Sequence, residues 1–125
     1  MRISNEDLLS ESGSVALAGN ASLRPIWLGH IAQYAIQLFF TGSPVGSFKL
    51  QCSNDAGHPN AQAKAEQSQD VVNWTDIAGS AAAVSAAGDV TWNAENVGYT
   101  WVRVVWTVTS GSGSITSARA NMKGV

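Results

Sequence analysis

Charge, cysteine and helical periodicity are all scarce in this chain. Lys, Arg, Asp and Glu make up 13% of its 125 residues, about half the usual share for a soluble domain. Seven basic residues stand against nine acidic ones, for a formal charge of −2. They form no clustered basic face, so nucleic acid is not an expected partner. A single cysteine, Cys52, excludes an internal disulfide and any Cys-based metal site. Nothing near Cys52 in sequence lowers a thiol pKa, so it reads as a small buried hydrophobe. No apolar run reaches the length of a membrane span, and no membrane partner is expected. Residues Met1 to Asp7 are partly acidic and lack the apolar run of a signal peptide, so synthesis in a cytoplasm is expected. The sequons Asn20-Ala21-Ser22 and Asn73-Trp74-Thr75 then carry no chemical consequence.

Catalytic signatures are equally thin. His30 and His58 do not sit at a zinc-binding spacing. No Gly-x-Ser-x-Gly elbow, P-loop or dinucleotide fingerprint occurs, and the many serines have no nearby histidine to activate one. Asp55, Asp76 and Asp89 lie near expected strand ends, where aspartate is far more often a turn former than a catalyst. The expectation is a protein that is not an enzyme, with no metal and no cofactor.

What the chain does have is period-two alternation broken by turn residues, the pattern of a sandwich or barrel. Tyr34, Ile36, Leu38 and Phe40 share one face of an extended segment, which reads as core. After the turn-rich stretch Thr41 to Gly46, Phe48, Leu50 and Cys52 resume the alternation, and the two segments read as a hairpin. Residues Asn54 to Asp70 read as a long loop, and Ala78 to Ala87 as a loop with a short strand. Val15 to Leu17 and Leu23 to Leu28 read as short strands, with Pro25 at an edge. Strand propensity peaks between Gly98 and Thr109, where Val102, Val104, Trp106 and Val108 form one face and Tyr99, Trp101, Arg103, Val105 and Thr107 the other. The turn Ser110-Gly111-Ser112-Gly113 then brings Ser114 to Met122 back as a closing hairpin.

Together these readings predict an all-β fold: a jelly-roll-like antiparallel β-sandwich of about eight strands. Residues 1–13 are expected to form a flexible amino-terminal arm and residues 14–125 a single sandwich domain. A neutral polar surface repels other proteins weakly, so association is favoured.

Five tryptophans are many for this length. Exposed indoles serve sugar-binding sandwiches as stacking platforms, whereas buried ones serve cores and interfaces. Burial is the common fate of aromatics in strands, so the structural role is preferred, with Trp106 inside and Trp101 available to a second layer or partner. Trp74, Trp92 and Trp101, with Asp55 and His58, are the candidate partner- or glycan-contact residues.

The series Leu28-Gly29-His30, Tyr34 to Leu38, Phe48 to Asp55, Asn73 to Asp76 and Gly98 to Arg103, with the ending Gly111 to Val125, resembles small tailed-bacteriophage virion structural proteins. That resemblance implies a non-enzymatic capsid cement or decoration protein on the head surface of a virion, with the major capsid protein or copies of itself as partners. Ser53-Asn54-Asp55 and Asn73 to Ile77 also resemble discoidin-like sugar-binding sandwiches, where the pattern is largely a fold feature. The alternative expectation is a glycan- or receptor-binding domain of a phage tail or fibre.

Overall fold

A computed structural model of the chain describes residues 3–9, 14–29, 31–54 and 73–124. Eleven strands run through them: β1 (Ile3–Asp7), β2 (Val15–Ala16), β3 (Ala21–Ser22), β4 (Ile26–Trp27), β5 (Ile31–Gly42), β6 (Val45–Ser53), β7 (Thr75–Asp76), β8 (Ala82–Val84), β9 (Gly88–Ala94), β10 (Trp101–Ser110) and β11 (Gly113–Gly124). All pairings are antiparallel. The first sheet has the order β1-β11-β5-β9, with β2 also on β11; the second has the order β3-β10-β6-β7, with β4 also on β10 and β8 on β6.

Because β1 and β2, β3 and β4, and β7 and β8 each share one position, the eleven segments fill eight positions. The chain visits them alternately in the two sheets, except that β7 and β8 follow β6 within one sheet. That is jelly-roll connectivity.

Alternation decides what lies between the sheets. Tyr34, Ile36, Leu38 and Phe40 of β5 are buried, as are Phe48 and Leu50 of β6 and Val102, Val104 and Trp106 of β10. From β11 come Ile115, Ala118, Ala120 and Met122. The Phe48 ring packs at 4.6 Å from Trp106 and 5.3 Å from Phe40, centroid to centroid, so aromatic contacts bridge the layers. Each fully buried side chain of this size stabilises the fold by roughly 1.5–3 kcal/mol.

Two expectations are corrected. The segments read as hairpins are not paired: β5 lies on β11 and β9 in the first sheet, while β6 lies on β10 in the second. Likewise β10 and β11 face each other across the core. Alternation fixes which face is buried but is silent on which strand lies alongside. The tight turns therefore act as arches between the sheets. Positive φ at Gly42 (87°) and Gly111 (77°) permits them, and they nest at one end, where the Ser43 N–H donates to the Ser112 carbonyl at 2.8 Å.

The expected arm is also partly structured. Ile3–Asp7 pairs along its whole length with β11, from Ile3 opposite Lys123 to Asp7 opposite Arg119. Leu8 and Leu9 follow it into the core. An open edge on β11 would leave a row of main-chain groups unpaired, and β1 satisfies them. Residues 1–2 and 10–13 of the expected arm and residues 55–70 of the expected loop lie outside the described residues. Strand β9 carries no expectation from the sequence; Gly88, Asp89 and Asn93 are poor strand formers that mask the inward series Val90, Trp92, Ala94.

Candidate functional site

The outward residues of β10 meet those of β6 and β7 on the free face of the second sheet. Register sets Trp101 between Trp27 and Ser53, Arg103 beside Gln51, and Gln51 beside Asp76. Side chains close that row into one network. The Arg103 Nε donates to Gln51 Oε1 at 2.9 Å, and Gln51 Nε2 donates to Asp76 Oδ1 at 2.8 Å. Lys49 Nζ reaches Asp76 Oδ2 at 3.0 Å. Above the row, the Arg103 guanidinium carbon stands 4.3 Å from the centroid of the Trp74 ring, within cation–π range.

Electrostatics follow from these contacts. Hydrogen bonds from Gln51 and then Lys49 hold the Asp76 carboxyl below the usual carboxylate range. Burial beneath Trp74 lowers the Arg103 pKa, yet an arginine stays charged throughout the physiological range. The face thus presents one partly desolvated cation stacked on an indole, anchored through an amide to a carboxylate.

The sequence candidates separate. Trp74 and Trp101 lie on this face, Trp74 half-buried and Trp101 only 1% exposed. Trp101 was expected to be available to a second layer or a partner; it points away from the core and is covered, in the row between Trp27 and Ser53. Its Nε1–H is buried with no hydrogen-bond partner among the described residues. Trp106 is inside as expected, its Nε1–H donating to the Leu17 carbonyl at 3.0 Å. Trp92 sits elsewhere, on the inner side of β9: its ring meets Phe48 edge-on and its Nε1–H donates to the Ser80 carbonyl at 2.8 Å. It closes the side of the sandwich. Asp55 and His58 lie outside the described residues, as does His30.

Arg103, Gln51 and Lys49 were not singled out as site residues from sequence, and Asp76 was read as a turn former near a strand end. The available signal was polar residues at every second position of Lys49-Gln51 and an arginine inside a valine-rich strand; the register that joins them is tertiary. On the inward side of the same strands, the hydroxyls of Tyr34 and Tyr99 hydrogen-bond to each other beside Cys52, which follows Gln51 and pairs with Val102 and Thr75. Burial, and then the bond to Tyr99, raises the Tyr34 pKa above its ordinary value. Burial also raises that of the Cys52 thiol, which keeps it un-ionised and a poor nucleophile. Among the described residues no three His, Cys, Asp or Glu side chains gather as a metal site would require.

No protein-family model matches the chain, and no curated protein matches it. Solved structures do resemble it. The SPBc2 prophage-derived protein YomS aligns over 97% of this chain and 92% of its own, at 11% identity and a TM-score of 0.53. A chain of infectious bursal disease virus, Gt strain, aligns over 98% of this chain and 32% of its own, at 12% identity and a TM-score of 0.52. A chitosan-binding module from a Paenibacillus sp. IK-5 chitosanase/glucanase aligns over 95% and 92%, at 17% identity and a TM-score of 0.47. At such identities the likeness is one of fold. The chain is an antiparallel β-sandwich with jelly-roll connectivity, an architecture it has in common with a prophage-derived protein and part of a virus particle.

Proposed function

We propose that the chain is a non-enzymatic virion structural protein, a capsid cement or decoration protein that docks through the outer face of its second sheet. The observation that carries this reading is the Arg103–Trp74 stack in its Gln51–Asp76–Lys49 frame. Arginine and tryptophan are the residues that most often dominate binding energy at protein interfaces. Here the arginine is already oriented and partly stripped of water, so little side-chain entropy is lost when a partner covers it. The low overall charge and the fold likeness to a prophage-derived protein support the same reading. The partner is the major capsid protein or another copy of this chain, and the location the surface of the phage head.

The test is co-sedimentation of the purified protein with particles that lack it, together with its mass in solution by light scattering. Arg103→Ala and Trp74→Ala are expected to weaken association about tenfold or more while leaving the circular dichroism unchanged. Wild-type protein that stays monomeric and binds no particle would sink the proposal.

The alternative, a glycan- or receptor-binding domain of a tail or fibre, retains Trp74 as the one candidate ring that is neither covered outside nor used in the core. Glycan binding that disappears in Trp74→Ala would move the assignment there.

A further inference from the structure

We propose that the outer face of the first sheet holds a binding groove for a neutral oligosaccharide, walled by Asn93 and Asn121. This face lies opposite the one assigned to docking, so either proposal can fail without the other.

The groove arises from register. Ala35 of the central strand β5 stands opposite Asn93 of β9 on one side and Asn121 of β11 on the other. A methyl group between two carboxamides makes a trough one residue wide. The next outward position of β5, Gln33, stands opposite Lys123, and Glu95 follows directly after β9. These six residues, with Tyr34, line a groove of about 360 Å³, at the lower end of the roughly 300–1,000 Å³ typical of small-molecule sites.

Its chemistry selects the ligand. The side chains of Gln33, Asn93, Glu95 and Lys123 make no hydrogen bond or ion pair within the described residues. Asn121 Oδ1 accepts from Asn5 Nδ2, which leaves the Asn121 NH₂ to donate outward. Each carboxamide both donates and accepts, as each sugar hydroxyl does, and the Ala35 methyl offers an apolar floor to the C–H face of a ring. Lys123 and Glu95 cancel in charge, so a phosphate or polyanion finds no net attraction. A peptide strand lying over the groove has no free main chain of β5 to pair with, because β5 is flanked by β9 and β11 and its main-chain groups are spent in the ladder. The occupant must bond through side chains to a neutral polyhydroxylated surface.

The experiment is titration of ¹⁵N-labelled protein with neutral tetrasaccharides (chito-, cello-, malto- and manno-oligosaccharides), preceded by a glycan array. Shifts are expected at the amides of Gln33, Ala35, Asn93 and Asn121. Ala35→Arg, which fills the trough, and Asn93→Ala should each weaken binding about tenfold or more, with spectra otherwise dispersed as in the wild type. Trp74→Ala and Arg103→Ala should bind as the wild type does, which separates this groove from the opposite face. The proposal is overturned by an array and titrations silent for every neutral glycan, or by binding that survives Ala35→Arg. Binding restricted to acidic glycans and abolished by roughly 0.5 M salt would overturn it equally.

Discussion

Trp101 and Trp106 stand five positions apart on one strand, each 1% exposed, yet replacing them by phenylalanine should have very different consequences. Trp106→Phe deletes the donor to the Leu17 carbonyl, a bond of 3.0 Å. A buried acceptor left unpaired costs about 1–3 kcal/mol, and the vacated half of the indole leaves a void against Phe48 worth roughly another 1–2 kcal/mol. The sum is about 2–5 kcal/mol. Trp101→Phe creates a similar void, but the N–H it removes has no partner among the described residues. Deleting an unsatisfied buried donor recovers about 1–3 kcal/mol, so the net change lies between about 2 kcal/mol stabilising and about 1 kcal/mol destabilising. Urea denaturation followed by far-ultraviolet circular dichroism, with equal m-values for all three proteins, measures both changes. Equal costs for the two variants, or a larger one for Trp101→Phe, would refute the account of where the indole N–H groups go.

Three further outcomes follow from the core. Above about pH 10 an unfolded tyrosine releases its proton while buried Tyr34 keeps its own; the unfolded state then binds fewer protons, and stability falls by about 1.4 kcal/mol per pH unit per group. Tyr34→Phe should flatten that alkaline slope by about one proton, and an unchanged slope between roughly pH 10 and 11 would count against it. A Cβ on Gly46 would stand 2.2 Å from the Thr107 carbonyl oxygen and 2.8 Å from the Trp106 ring, so Gly46→Ala should cost about 1–3 kcal/mol. Gly19→Ala, with nothing within 4 Å, should be neutral or stabilising by up to about 1 kcal/mol, and thermal melts of the two compare them directly. Val104→Asp places a carboxylate where exposure is 1% and should cost more than about 3 kcal/mol; a soluble variant with a wild-type melting temperature would mean that the inward face of β10 is misassigned.

How much of this was legible in the sequence depends on whether a property is local. Which side of β5 and β10 is buried was readable, because Tyr34, Ile36, Leu38 and Phe40, and Val102, Val104 and Trp106, state it within one strand. Which strands adjoin was not. The Ser110–Gly113 turn looks the same whether it joins paired strands or arches between layers, and the choice is made by β5 and β6, whose sequence distance from their partners is large. The site is harder still: Arg103, Gln51 and Asp76 lie 52 and 25 residues apart along the chain and become neighbours only when three strands settle into register. For Trp101 the strand pattern gave the outward direction but not the exposure, since the ring is outward and only 1% exposed.

The tryptophans show a structural use of aromatic content in this fold. A jelly roll moves the chain from one sheet to the other at nearly every turn, so its crossing segments need fastening to the layers they pass. Trp106 fastens the segment after β2 through Leu17, and Trp92 fastens the edge strand β9 to Ser80, between β7 and β8 of the other sheet. A large ring with one directional donor suits that task, since it fills an open side and satisfies a stray carbonyl together. Two of the five indoles are thus committed to closing the sandwich, and Trp101 is covered. The residues proposed for recognition, the amides of the first sheet and Arg103 stacked on Trp74 at the second, stand apart from that task, and alternation holds Asn93, Asn121 and Arg103 outward on strands whose inward side chains already secure the fold.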